Sequence, residues 1–250
     1  MSGIAGICHT DGRPVDRSAL RRLLDAQSHR GPDGRHIRRE TSVGLGHLAL
    51  HTTPEAVHEA QPQRGPDERL LLTADARIDN RDELISALGR RRDDRPATDA
   101  ELILRAYRRW GDASPEHLRG AFAFAVWDAS KERLFCARDR MGLRPFHYCW
   151  SAPRFVFGSE INAVLAHPAV SHEINDTRVA DFLARIHLSK EYTFYDDVLR
   201  LPPGHRAVIH REGMHTDAYW TLTLPEERTL GSDEAYAEAF RNVFSSAVED

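Results

Sequence analysis

The chain has 250 residues, and its 34 lysines and arginines against 38 aspartates and glutamates give a formal net charge of −4. A slightly acidic chain gives no reason to expect nucleic acid as the main partner. It contains no run of about 18 apolar residues and no basic segment followed by an apolar one, so we predict neither a membrane span nor a signal peptide.

The first predicted strand, residues 3–8, directly follows Ser2. Once Met1 is removed, the side chain at position 2 lies beside a free α-amine, whose pKa of about 7.7–8 suits a general base near neutral pH. A hydroxyl or thiol in that place can attack a carbonyl carbon with its own backbone amine as the base. Ser2 is therefore a candidate nucleophile.

The rest of the chain alternates between strand-like and helical patterns, separated by turns that contain glycine and proline. In chain order we predict a helix over residues 18–27, a turn at 29–34, strands over 43–50 and 69–74, helices over 81–88 and 99–110, strands over 121–128, 133–138, 146–150 and 155–158, helices over 160–167 and 177–186, and a turn at 201–205. Many strands joined by hairpins, with helices grouped between them, predict an α+β sandwich of sheets covered by helices.

The C-terminal part of the chain has a different pattern. Segment 221–231 is polar and contains proline, which is typical of a linker. Residues 232–250 open with a helix start signal and carry a wide apolar stripe, which calls for a partner outside this sequence. We expect one domain over residues 1–220, a linker over 221–231, and the first helix of a truncated second domain over 232–250.

Cysteine and histidine usage argues against a metal site. Cys8, Cys136 and Cys149 are odd in number and never form a C-x-x-C pair, which is typical of buried reduced thiols in a cytoplasmic protein. His47 and His51 lie four residues apart, but on a strand this spacing does not bring two rings together, and no carboxylate accompanies them. We therefore expect a cytoplasmic protein that binds no metal through this chain.

The start M-x-G-I-A-G-I and five further motifs stand in order along the chain. They are H-R-G-P-D at 29–33, G-A-F-A-F-A at 120–125, R-D-R-M-G-L-R-P-F at 138–146, S-E-I at 159–161 and L-P-P-G-H at 201–205. Together they resemble the glutaminase domain of class II glutamine amidotransferases, in particular that of the asparagine synthetase family, from residue 3 to about residue 220.

This resemblance implies an N-terminal-nucleophile hydrolase-like αββα sandwich of two mainly antiparallel sheets. It also implies that an ATP-pyrophosphatase-type synthetase domain, which adenylates a carboxylate, follows in the family. The S-G-G-x-D-S loop of that domain is absent from this sequence. We therefore expect no cofactor in this chain, and ATP and Mg in the C-terminal domain.

In active members of the family, the resemblance implies that a cysteine attacks the side-chain amide of glutamine and that an arginine holds the substrate carboxylate. An N-G-E segment supplies the oxyanion hole and grips the substrate amine, which a later aspartate also binds. The matching positions here hold Ser2, Ala49, Asp75, Ala76, Arg77 and Asp99. Asp99 alone keeps the family's residue type.

Each of these changes is adverse on physical grounds. Serine is far less nucleophilic than a thiol at neutral pH, and Ala49 cannot clamp a carboxylate. Asp75 places an anion where a donor should meet the developing oxyanion, and losing one such donor typically costs about 10²–10³ in rate. Arg77 reverses the charge that would receive the substrate ammonium. We predict that glutamine hydrolysis is lost.

Structural roles are expected for the altered residues. We expect Asp75 and Arg77 to pair with each other or with Arg30 and Asp99, filling the old pocket. Arg138 and Asp139, which open the fourth motif, are expected to form a buried ion pair that fixes a turn.

The family that this chain resembles includes ligases that need no ammonia, because the attacking amine belongs to the substrate. β-Lactam synthetases and lasso-peptide macrolactam cyclases are of this kind, and the D-A-R-I-D-N segment at 75–80 resembles their vestigial sites more than an active one. The leading interpretation is a non-hydrolytic N-terminal domain of an ATP-dependent amide ligase, with a peptide macrolactam cyclase favoured. Its partners would be its own C-terminal synthetase domain and a precursor peptide.

Two alternatives stay open. One is an active amidotransferase domain that supplies ammonia to an asparagine synthetase, with Ser2 as the nucleophile. The other is a binding module without enzymatic activity.

Overall fold

The structure, a computed structural model, describes residues 1–89, 96–186, 189–224 and 229–249. The chain separates into two compact units, Met1–Trp220 and Thr221–Asp250. Within its described residues, the second unit has the helix α6 (Asp233–Glu249), which carries exposed apolar side chains such as Phe240 and Phe244. The first unit contains the two sheets.

The strands of the first unit are β1 (Gly3–His9), β2 (Gly34–Arg39), β3 (Val43–Ala49), β4 (Gln63–Arg64), β5 (Leu70–Ile78), β6 (Gly120–Asp128), β7 (Arg133–Arg138), β8 (His147–Ser151), β9 (Arg154–Gly158), β10 (Leu199–Arg200), β11 (His205–His210) and β12 (Gly213–Ala218). Its α-helices are α1 (Arg17–Asp25), α2 (Arg81–Leu88), α3 (Asp99–Trp110), α4 (Ile161–Leu165) and α5 (Asp176–Leu183). Short 3-10 turns lie at Ser28–Arg30, Glu55–His58 and Gly111–His117.

These strands form two sheets. Sheet I has the order β10-β8-β9-β1-β3-β2 and sheet II the order β12-β11-β7-β6-β5-β4. The strand pairs within both sheets are antiparallel. The predicted α+β sandwich of mainly antiparallel sheets is confirmed.

Side-chain alternation along the strands produces the layers. Ile4 of β1 and Leu45 of β3 pack against Ala123 and Ala125 of β6, so these residues lie between the two sheets. On the outer face of sheet I, residues such as Ile7 pack against α1 and α4. On the outer face of sheet II, the alternate residues of β5 and β6 pack against α2 and α3. The result is a helix–sheet–sheet–helix sandwich.

Helix α3 begins at Asp99 because Thr98 caps it. The Thr98 hydroxyl accepts a hydrogen bond from Glu101 N, and the Glu101 carboxylate accepts one from Thr98 N, which is a capping box. Asp99 adds a negative charge to the first turn, where the helix dipole favours it. The predicted bounds, residues 99–110, agree with the structure.

Some strands were not predicted. Among these, β2 and β12 are rich in polar residues, and β2 is a largely exposed edge strand of sequence G-R-H-I-R-R. Strand β11 has only a short apolar run between polar ends. Strand β5 continues to Ile78, four residues beyond the predicted end at 74, because its polar residues Asp75 and Arg77 stay in register with β6. In both cases pairing in the sheet overrides a polar sequence.

The three cysteines lie in the interior. Cys8, Cys136 and Cys149 are buried and free, and burial raises the pKa of Cys8 to about 12. Across the described ranges, the structure has no helix that combines the length and the apolar character needed to span a bilayer.

Candidate functional site

A cavity lies where β1 begins and β3 ends, beside the second half of β5. Of the residues matched to the family's pocket, Ser2, Asp75, Ala76 and Asp99 line this cavity. The remaining lining residues are Met1, Leu50, Thr52, Thr53, Ala56, Glu59, Ala74 and Arg144. The cavity is polar and contains both acidic and basic side chains.

Two of the matched residues lie elsewhere. Ala49 is the last residue of β3 and is buried. Arg77 has a side chain that is 62% exposed, and its Nε lies 2.9 Å from Asp79 Oδ1. The expectation that Arg77 helps to fill the cavity is therefore wrong, because its side chain reaches solvent near the end of β5.

Ser2 is held by the backbone of the segment that follows β3. Its Oγ accepts a hydrogen bond from Leu50 N at 3.1 Å and donates a long one to Leu50 O at 3.5 Å. Its carbonyl oxygen accepts a hydrogen bond from Arg30 Nε at 3.0 Å. The hydroxyl thus joins the start of β1 to the end of β3.

Asp75 is the most deeply buried charged residue in the cavity wall, with a side chain that is 3% exposed. Its Oδ2 accepts a hydrogen bond from Arg30 Nη2 at 3.4 Å, and its Oδ1 lies 3.7 Å from Arg144 Nε. Burial raises the pKa of Asp75, while the Arg144 and Arg30 guanidiniums act in the opposite direction. The predicted pairing of Asp75 with Arg30 is confirmed, and the contact with Arg144 is new.

Arg30 connects several elements through one side chain. Besides Ser2 and Asp75, it contacts Glu160, the residue before α4, with Nη1 3.1 Å from Oε1. The same carboxylate oxygen lies 2.9 Å from Nε2 of the exposed His29. The side chain of Arg30 is only 10% exposed, so these contacts lie largely out of solvent.

Asp99, at the first turn of α3, faces the cavity and contacts Arg81. Arg81 also donates to the carbonyl oxygen of Ala97. Burial raises the pKa of Asp99 to about 6, although Arg81 opposes the shift, and the charges of Glu59 and Glu55 add to it. The Asp99 carboxylate is therefore already engaged by a cation of the same chain.

Three charged residues of this region were not found from the sequence: Arg144 and Glu59, which line the cavity, and Arg81, which contacts Asp99. Arg144 stands inside the R-D-R-M-G-L-R-P-F motif, which could have indicated it. Arg81 follows the helix start at Asn80, and nothing in the sequence pairs it with Asp99. Glu59, whose Oε2 accepts a hydrogen bond from Ala100 N at 3.2 Å, lies in a segment for which the sequence predicts no strand, helix or motif.

Arg138 and Asp139 fix a turn, but they do so through backbone groups. The Asp139 carboxylate accepts hydrogen bonds from the backbone N–H groups of Met141, Leu143 and Arg144 at 2.9–3.1 Å. The Arg138 guanidinium donates to the carbonyl oxygens of Gly142, Arg144 and Leu201 at 2.6–2.7 Å. The prediction of an ion pair between these two residues is therefore wrong, because each binds the turn itself. The turn holds Arg144 beside Asp75.

His47 lies on β3, in the interior, and is 4% exposed. Burial lowers its pKa to about 3, so the imidazole is neutral near pH 7. Its Nε2 has no hydrogen-bond partner among the described residues. His51 is exposed, and the described ranges contain no group of three or more His, Cys, Asp or Glu arranged around a metal site.

The sequence is similar to those of known proteins. The family model of the glutamine amidotransferase domain matches residues 1–220. Asparagine synthetase (glutamine-hydrolyzing) 3 of Bacillus subtilis is 30% identical over 260 residues, covering 99% of this chain and 41% of that protein. Amidase chyE of Penicillium rubens is 28% identical, covering 92% of this chain and 34% of that protein.

The fold is also found among solved structures. Glutamine phosphoribosylpyrophosphate amidotransferase from B. subtilis superposes with a TM-score of 0.62 at 18% identity, covering 88% of this chain and 50% of that one. At this identity the likeness concerns the fold alone. The chain spans less than half the length of the B. subtilis and P. rubens sequence relatives.

Proposed function

This chain belongs to the family of glutamine amidotransferase domains found in asparagine synthetase-like proteins, and from that premise we propose that its own cavity no longer hydrolyses glutamine. The domain would serve as the N-terminal scaffold of an ATP-dependent amide ligase. ATP and Mg would bind in the synthetase domain of that ligase.

One observation carries the proposal: the buried Asp75 carboxylate in the cavity wall beside Ser2. Hydrolysis of an amide passes through a tetrahedral oxyanion, which active sites stabilise with preorganised hydrogen-bond donors. A carboxylate accepts hydrogen bonds and carries the same sign of charge as the oxyanion. Asp75 therefore opposes the transition state that an amide donor in its place would stabilise.

Recognition of glutamine is weakened at both its α-carboxylate and its α-ammonium group. Ala49 offers no guanidinium for the α-carboxylate of glutamine, and its methyl group is buried at the end of β3. Asp99, which could receive the α-ammonium, is already in contact with Arg81. A glutamine molecule would have to displace that guanidinium to use the carboxylate.

The position of the Ser2 hydroxyl also supports the proposal. It hydrogen-bonds the backbone of Leu50 as both acceptor and donor. A nucleophile must instead be aligned with a base and with the reacting carbon. In this chain the hydroxyl acts as a link between two strands.

The proposed scaffolding role is supported by the surface of the first unit. None of the described residues of α5 is buried, and Phe182 and Leu183 expose 54% and 75% of their surface. Apolar patches of this kind are typical of surfaces that pack against another domain. We propose the synthetase domain as the occupant, because the B. subtilis relative is more than twice as long as the segment that this chain matches.

For the whole protein, we favour a peptide macrolactam cyclase, in which an amine of the substrate attacks the adenylated carboxylate. Such a ligase needs no ammonia, so the loss of glutamine hydrolysis would not reduce its activity. The precursor peptide would then be a partner of the synthetase domain.

The decisive experiment is a glutaminase assay on the protein with its N-terminal Met1 removed. We expect glutamate release no faster than in buffer, with a hydrolysing asparagine synthetase measured in parallel as the positive control. Glutamate release by the wild type that disappears in Ser2→Ala would overturn the proposal and establish an active amidotransferase. For the cyclase subtype, a precursor peptide incubated with the full protein and ATP should lose one water molecule by mass. ATP-dependent transfer of the glutamine amide nitrogen to aspartate, giving asparagine and glutamate, would instead contradict this subtype.

A further inference from the structure

The Asp75 carboxylate has too few hydrogen bonds for its degree of burial. A carboxylate can accept about four hydrogen bonds, and buried polar groups are normally satisfied. Among the described residues, the one hydrogen bond that reaches Asp75 is the donation from Arg30 Nη2 at 3.4 Å, which is long. Arg144 Nε, at 3.7 Å from Oδ1, contributes charge rather than a hydrogen bond. The carboxylate therefore has room for a further donor.

The cavity in front of Asp75 contains the start of the chain. Met1 and Ser2 both line it together with Asp75. One guanidinium, that of Arg30, donates both to the Ser2 carbonyl oxygen and to Asp75 Oδ2, so the two groups lie within the span of a single side chain. The positive charge of the N-terminus already acts on Asp75, where it opposes the rise in pKa that burial causes.

The charges around the cavity also leave room for one more cation. The cationic groups are Arg30, Arg81 and Arg144, and the carboxylates are Asp75, Glu59, Asp99 and Glu160. With all of them ionised, this set has one negative charge in excess. Glu55, which acts on Asp99, adds a further negative charge, and the exposed His29 on Glu160 adds a positive one only when protonated.

We propose that, in a chain that begins at Ser2, the α-ammonium group of Ser2 is the missing donor and forms an ion pair with Asp75. An ammonium group supplies three donors, and its charge balances the excess. The inference deepens the proposed function, on which it rests for the view that the amine has no catalytic task. In this arrangement the group that would be the general base of an N-terminal nucleophile is instead a structural cation.

The test uses the full chain released from a removable leader so that Ser2 is its first residue, with intact mass as the check. The Ser2 α-amine is labelled with ¹⁵N, and its protonation is followed by NMR as a function of pH. We expect a pKa at least about one unit above the 7.7–8 of an ordinary α-amine. Acylation of the amine at pH 7.5 should accordingly be about tenfold slower than for an unperturbed amine.

Asp75→Asn should bring the amine pKa back to its ordinary value or below, because the arginines then act on it without the carboxylate. Asp79→Asn is the matched control, since Asp79 lies just after β5 and pairs with Arg77 rather than lining the cavity. This control should leave the amine unchanged. An amine pKa of about 8 or less in the wild type, unaltered by Asp75→Asn, would overturn the inference.

If Asp75→Asn fails to fold, the ion pair can still be tested by comparing wild-type chains with and without Met1. In a chain that retains Met1, the ammonium is displaced by one residue, so its pKa should be lower than in the chain that starts at Ser2. Equal values in the two chains would also refute the ion pair. Glutamate release measured on the same samples separates the two proposals. Glutamate release together with a raised amine pKa would contradict only the proposed function. An ordinary amine pKa without glutamate release would contradict only the ion pair.

Discussion

Arg81 contacts the carboxylate of Asp99 at the wall of the cavity. Asp99 is the one matched pocket residue that keeps the type expected from the family resemblance, and its charge is met by a guanidinium from the start of α2. The residue type alone would suggest that the amine-binding end of the pocket survives. The contact suggests that this end is occupied by the protein itself.

Removing Arg81 should destabilise the protein. Arg81→Met leaves the largely buried Asp99 carboxylate without its cation, and breaking a buried pair by removing one partner costs up to about 3–5 kcal/mol. Since both side chains keep some exposure, we expect the free energy of unfolding, measured in urea, to fall by about 1–3 kcal/mol. The matched control is Arg119→Met, which removes the contact of Arg119 with Glu83 on the exposed surface and should change stability by less than about 0.5 kcal/mol. Equal losses in the two variants would contradict the role given to Arg81.

Asp99 should make the folded protein less stable as the pH rises from about 4 to about 6. The ordinary pKa of an aspartate carboxyl is 3.8 and that of Asp99 in the folded protein is about 6, so the folded state binds the proton more tightly in that window. Stability that comes from this proton is present below pH 4 and lost as the pH passes the folded value. The free energy of unfolding, measured by urea at several pH values, should fall less over this window in Asp99→Asn than in the wild type. The difference between the two curves should reach at most about 3 kcal/mol.

His47 should act in the opposite direction. Its folded pKa of about 3 lies below the ordinary histidine value of 6.5, so the unfolded state takes up the proton first. The contribution of the neutral ring is therefore complete above pH 6.5 and is lost as the pH falls towards 3. His47→Leu should make acid unfolding shallower across this range, with the exposed His58→Leu as the control. An unchanged acid transition in His47→Leu would exclude this histidine as a source of acid sensitivity.

Of the arginines around the cavity, Arg30 should be the one whose removal destabilises the protein most. Its side chain holds Ser2, Asp75 and Glu160 together and is largely buried. Arg30→Met should lower the free energy of unfolding by about 3–5 kcal/mol. Adding Asp75→Asn should recover part of the loss, because the two side chains interact directly and their effects are not additive. The control is Arg38→Met on the exposed face of the edge strand β2. Additive effects of Arg30→Met and Asp75→Asn would argue against their coupling.

Restoring a thiol should not restore glutamine hydrolysis. Ser2→Cys supplies a better nucleophile, but under the proposed function Asp75 still opposes the oxyanion and Ala49 still offers no clamp for the substrate carboxylate. We expect glutamate release to stay at the level of the buffer blank. Release should become measurable only when Ala49→Arg, Asp75→Asn and Arg77→Glu are combined with Ser2→Cys. Appreciable turnover by Ser2→Cys alone would show that the nucleophile was the sole defect.

The parts of the fold that follow from the sequence are those with strong local signals. Helix α3 has a capping box and a regular apolar stripe, and β7 has an apolar run that ends at Arg138, so both were predicted with the correct bounds. The strands β2, β11 and β12 were missed because pairing with a neighbour, rather than their own composition, makes them strands.

The cavity could be anticipated only in part. The matched motifs indicated Ser2, Asp75 and Asp99, and alternation along β1 and β5 explains how the first two meet between the sheets. The two cations Arg81 and Arg144 could not be anticipated. Arg81 contacts Asp99 from the start of α2 and Arg144 contacts Asp75 from the turn after β7, so their placement depends on tertiary packing. Arg77 was misplaced for the same reason, since its strand ends just after it and the side chain turns to solvent.

The turn held by Arg138 and Asp139 has a consequence for the charge of the cavity wall. It fixes the backbone of residue 144 from both sides, by a bond to its N–H and another to its carbonyl oxygen. The guanidinium of Arg144 therefore extends from a clamped backbone, with its Nε 3.7 Å from Asp75 Oδ1. The negative charge that Asp75 brings into the wall is thus met by a cation whose main chain cannot shift without breaking those bonds.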